Sequence, residues 1–116
     1  MKPVLILTNC DSSAEAQRIA DTLLARGFAA AVQILGPVNS RYRWKNEIHQ
    51  KQEWVMMIKT NDQRQDDIRS TLQELHSYEL PSMLSIAIDD GDSQYLRWIL
   101  GASGDSGQPA QFEDHR

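Results

Sequence analysis

Residues 28–45 read FAAAVQILGPVNSRYRWK, and the length of that run decides the architecture. It predicts one strand from Phe28 to Lys45, interrupted at Gly36-Pro37. Proline cannot donate a ladder hydrogen bond, so the interruption is a bulge or bend at a sheet edge. Beyond it Val38, Ser40, Tyr42 and Trp44 fall on one face, and Asn39, Arg41, Arg43 and Lys45 on the other. At about 3.3 Å per residue the ribbon could reach about 60 Å. A compact domain of this size has a radius of gyration near ~13 Å and a diameter of roughly 35 Å. The ribbon must overhang its own domain or bend sharply at Gly36-Pro37. An overhanging apolar hairpin with open edges is unstable alone, and a second subunit is the simplest remedy.

Working outward, Val4-Leu5-Ile6-Leu7 is a short apolar run, the pattern of a strand covered on both faces. Ser12 and Glu15 make a capping box, Ala16, Ile19, Ala20, Leu23 and Leu24 repeat at helical spacing, and Gly27 ends the helix. After a polar turn, Glu53 to Lys59 predicts a strand with WVMMIK apolar on both faces. Asn61 or Asp62 caps a second helix with Ile68, Leu72 and Leu75 as its buried stripe, ending near His76 because Pro81 follows. Met83 to Ile88 predicts a strand, Asp89-Asp90-Gly91 a turn, and Asp92 to Leu100 a final helix with Tyr95, Leu96 and Ile99 inward. The order β-α-β-β-α-β plus a terminal helix is the α+β, ferredoxin-like arrangement, an antiparallel sheet with both main helices on one face. Residues 1–101 read as a single domain, and 102–116, rich in Gly, Ser, Pro and charge, as a flexible tail.

Formal net charge is −4, with 16 acidic against 12 basic residues, which argues against a dedicated nucleic-acid binder. One cysteine excludes an internal disulfide and suits a reducing compartment. The apolar run after Met1 is too short for a signal peptide, and no stretch approaches a membrane span of about 20 residues. These features predict a cytoplasmic protein without a membrane partner. The basic and aromatic residues at 41–45 do not form a nucleic-acid platform, because alternation sends cations and aromatics to opposite faces.

Six segments together resemble the CutA family, small trimeric proteins named for divalent-cation tolerance. They are ILTNC at 6–10, AEAQRIADTLL at 14–24, SRYRWKNEI at 40–48, MIKT at 57–60, ELHSYELP at 74–81 and YLRWI at 95–99. The resemblance implies a ferredoxin-like fold, an architecture like that of the PII signalling proteins, and a homotrimer built by pairing long hairpins. Tyr42, Trp44 and Trp54 are the aromatics expected at the trimer interface. It also implies a metal site at Cys10, His76 and Glu79, for Cu(II) before Zn(II), since thiolate and imidazole suit both ions and a carboxylate can complete the shell. Tyr78 is expected to line a pocket between subunits. Three departures from the family pattern stand out: Ala31 where a cysteine is usual, Gly36-Pro37 in reversed order, and Ser77 in place of proline.

Two function classes follow. One is a trimer that binds a divalent cation or small ligand near its subunit junctions, without catalysis. The other is a PII-like signalling or scaffold trimer that binds a protein or small effector, with metal incidental. His49, Glu47 and Glu53 near the hairpin turn read as a solvated turn rather than a cation site. Residues 36–43 resemble the phosphate loop of acylphosphatases, but they lie between two strands and contain a proline without an N–H, so that chemistry is missing. No nucleophile elbow or Walker loop is present.

Overall fold

The structure, a computed structural model, describes residues 1–104. Its elements in order are β1 (Pro3–Cys10), α1 (Ser13–Ala25), β2 (Ala31–Trp44), β3 (Glu47–Asn61), α2 (Gln65–Leu75), β4 (Leu84–Ala87) and α3 (Ser93–Ala102). The strands form one antiparallel sheet in the order β2-β3-β1-β4, so β2 and β4 are the edges. This is the α+β, ferredoxin-like fold read from the sequence.

Side-chain alternation divides the sheet. Val4, Ile6, Thr8 and Cys10 of β1 are buried, and with Met56 and Ile58 of β3 they meet Ala16, Ile19, Ala20 and Leu23 of α1 and Ile68 and Leu72 of α2. The opposite face carries Leu5, Leu7, Val55, Met57, Leu35, Leu84 and Ile86, as the strand register requires. Leu84 is 63% exposed and Ile86 46%. An apolar sheet face is thus left open beside α3.

Helix ends follow from local chemistry. Ser12 Oγ accepts from the Glu15 N–H at 3.1 Å, and Asp92 accepts from the Tyr95 N–H at 3.0 Å. Asn61, rather than Asp62, caps the second helical segment, accepting from the Gln63 N–H at 2.8 Å through a 3-10 turn at Asp62–Arg64. The Asn61 amide also donates to Ser103 O at 2.7 Å and Ser103 Oγ at 3.0 Å. Ser103 is fully buried, so packed structure reaches beyond Leu100. The remainder of the expected tail, 105–116, lies outside the described residues.

The hairpin departs from expectation at its tip. β3 begins at Glu47, not Glu53, because Lys45 and Asn46 alone make the turn, with φ of 52° and 66°. Two left-handed residues give the tight turn whose twist matches paired strands. The polar run Gln50-Lys51-Gln52, read as loop, pairs in register with Asn39, Ser40 and Arg41. Strand β2 correspondingly starts at Ala31, after Phe28–Ala30 has connected the helix to the sheet. The expected break is a register shift between Leu35 and Val38. A Cβ on Gly36 would lie 2.6 Å from Trp54 Cδ1 and 3.1 Å from the Glu53 carbonyl oxygen, so only glycine lets the strands close there. The molecule measures 47 × 27 × 25 Å, and a strand of β2's length spans about 46 Å, so the hairpin sets the long axis.

Candidate metal centre and adjoining cleft

Strand β1 ends at Cys10, helix α1 brings Glu15 over it in its first turn, and the chain leaving α2 returns His76 to the same place. One ligand atom from each of the three lies within 4.8 Å of the others. Cys10 Sγ is 3.9 Å from His76 Nε2 and 3.5 Å from Met56 Sδ. Cys10 and Met56 are fully buried and Glu15 is 4% exposed, while His76 is half-buried. Burial, followed by the negative charges of Glu15 and Glu53, pushes the Cys10 thiol up to about 12. The free thiol therefore keeps its proton, and an ion binding there must displace it.

The His76 ring is fixed by its neighbours. Nε2 lies 2.6 Å from the Asn9 carbonyl, which can only accept, and Nδ1 lies 3.2 Å from the Tyr78 N–H, which can only donate. The ring is consequently neutral with its proton on Nε2. The Glu15 carboxylate accepts from the Ser77 N–H at 2.9 Å and from the Ser77 hydroxyl at 3.1 Å. The expected capping box is therefore half made: Ser12 caps, but Glu15 turns away to hold Ser77.

Residues 76–82 wrap around the end of β1 from the helix-covered face to the open one. There Tyr78 donates to Glu53 at 2.6 Å, and Asn9 Nδ2 donates to the other Glu53 oxygen at 3.4 Å. Burial and the hydrogen bond and charge of Glu53 raise the Tyr78 phenol well above its ordinary value. Lys51 sits 4.2 Å from the Tyr78 ring centroid and 3.3 Å from the Asp11 carboxylate. Tyr78, Glu53, Asn9 and Lys51, with Tyr42 and Trp44, line a cleft of about 560 Å³.

The fold thus brings Cys10 and His76 together as the resemblance implied. Glu79 is exposed and lines the cleft, and the acid beside Cys10 is Glu15. Tyr42 and Trp44 stand on the open face, paired across the hairpin with His49 and Glu47. Trp54 lies on the helix-covered face beside Cys10, packed against the core. Glu47, His49 and Glu53 do not gather: His49 stacks on Tyr42 and Glu53 is buried beneath Tyr78. Sequence reasoning passed over Glu15 and Met56. Glu15's only signal, its place three residues after Ser12, reads equally well as a cap.

Thiol, imidazole, carboxylate and an adjacent thioether suit a thiophilic ion. Among the described residues no helix is long and apolar enough to cross a membrane. Residues 4–102 match the family model described as CutA1 divalent ion tolerance protein. The divalent-cation tolerance protein CutA of Pectobacterium atrosepticum is 35% identical over 96 residues, 83% of this chain and 87% of that protein. The crystal structure of CutA1 from Shewanella sp. SIB1 is 36% identical, with a TM-score of 0.85 over 90% of this chain and 97% of that one. The periplasmic divalent cation tolerance protein CutA of Archaeoglobus fulgidus is 31% identical, with a TM-score of 0.84 over 88% of this chain and 99% of that one. This chain belongs to the CutA family of divalent-cation tolerance proteins.

Proposed function

We propose that the chain acts in cation tolerance as a cytoplasmic homotrimer that binds a thiophilic ion, copper before zinc, at Cys10 and His76, and catalyses no reaction. The observation that carries the metal reading is the convergence of Cys10, His76 and Glu15 within 4.8 Å. Glu79 belongs to the cleft, so its removal is expected to leave ion affinity unchanged. Calorimetry with Cu(II) and Zn(II) tests the site. Cys10→Ser with His76→Ala should abolish binding, Glu79→Ala should not, and equal affinity in the double variant would remove the site.

Assembly is supported by the open edges β2 and β4 and by the exposed apolar face between them. Three copies is the number the family resemblance implies. Light scattering should give about three times 13.2 kDa, and a monomer at micromolar concentration would defeat the proposal. A Tyr42→Ala, Trp44→Ala variant should dissociate before it loses any ion.

The cleft of about 560 Å³ favours a second reading, a PII-like trimer that takes a small effector or protein against Tyr42, Trp44 and Tyr78. A metabolite thermal-shift screen and a tagged pull-down test it, and silence in both counts against it.

A further inference from the structure

We infer that the ion suited to this site is Cu(I), with Met56 Sδ as third donor beside Cys10 Sγ and His76 Nε2; the inference rests on the metal reading above. Glu15 is the obvious third ligand by distance, but both of its oxygens are held by Ser77. Met56 Sδ accepts only from the Cys10 thiol, 3.5 Å away, and the proton of that bond is the one an incoming ion displaces. An ion at bond lengths of about 2.3 Å to sulfur and about 2.0 Å to nitrogen would meet the two sulfurs at about 100° and the sulfur–nitrogen pair at about 130°. The first is somewhat below tetrahedral and the second somewhat above trigonal, so Cys10 can share an ion with either neighbour after a modest adjustment.

The donor set discriminates between ions. Cu(II) favours nitrogen and oxygen in a tetragonal array, and zinc sites draw on thiolate, imidazole and carboxylate, whereas thiolate with thioether selects Cu(I). Half-buried His76 is the route in: its Nε2 must leave the Asn9 carbonyl and pass its proton to Nδ1, which then turns from the Tyr78 N–H, while the Cys10 proton is released to solvent.

The test is anaerobic competition against bathocuproine disulfonate, beside Zn(II) and Cu(II) calorimetry. Wild-type protein should withdraw Cu(I) from the chelator. Met56→Leu should weaken that at least about tenfold while leaving Zn(II) affinity unchanged, and Glu15→Gln should hold Cu(I) as wild type does. Met56→Leu matching wild type for Cu(I) overturns the inference. Wild type that binds Zn(II) or Cu(II) through Cys10 but refuses Cu(I) overturns it too, and leaves the proposed function standing. Undiminished Cu(I) uptake by Cys10→Ser sinks both. Selenomethionine-labelled wild type covers the case in which Met56→Leu fails to fold. Selenium in the copper absorption shell supports the inference, and its absence overturns it.

Discussion

At Cys10 the burial of the sulfur sets a pH limit on the fold. Burial holds its thiol up at about 12 in the folded chain, against about 9.0 for an exposed cysteine. Below pH 9 folded and unfolded chains are equally protonated there. As pH rises from 9 toward 12 the unfolded chain releases its proton first, so stability is lost across that window. The urea midpoint of the wild type should fall between about pH 8 and 10.5 more steeply than that of Cys10→Ala; parallel slopes would refute the shift. Ser77 offers a second measurement. It stands where the family resemblance leads one to expect proline, and His76, at φ −78° and ψ 138°, already has a backbone that precedes proline comfortably. Ser77→Pro therefore removes two donors from the buried Glu15 carboxylate without forcing the chain. A loss of about 1–3 kcal/mol is expected by denaturant titration, most of it absent in a Glu15→Gln background.

The hairpin shows which elements are legible in a sequence. Periodicity fixed α1 and α2 through Ile19, Leu23, Ile68 and Leu72, because burial against a sheet demands apolar residues at helical spacing. It also placed Tyr42 and Trp44 on one face. It did not show that Gln50, Lys51 and Gln52 are strand, since a ribbon projecting into solvent is held by backbone pairing and needs no apolar pattern. Nor did spacing identify the Cys10, Glu15 and His76 cluster, whose members lie on separate elements and meet only after the sheet and helices pack. Gly36 was legible as a break but not as the reason for it. Its Cβ position is occupied by the Trp54 indole, so Gly36→Ala must shift that ring or part β2 from β3. We expect a cost of about 1–3 kcal/mol, read as a lowered thermal midpoint with tryptophan fluorescence shifted to the red.

Over the whole molecule, the apolar outer face is the feature the sequence announced most directly. VLIL and WVMMIK are apolar on both faces, yet α1 and α2 cover only one, which leaves Leu84 and Ile86 in the open. If the proposed trimer buries this face, Ile86→Lys should give a folded monomer by light scattering, with a thermal midpoint independent of concentration; a variant that assembles as the wild type does would exclude this face from assembly. The Asn61 amide has a different reach. A single side chain starts the helical segment after β3 and fastens the end of α3, so segments far apart in sequence share one clasp. Their fraying is then a joint event. A chain ending at Ala102 lacks the Ser103 carbonyl and hydroxyl, and its amides at Gln63 and in the first turn of α2 should exchange with solvent faster. A chain ending at Gly104 should keep them protected, which makes the start of one helix a reporter of the far end of another.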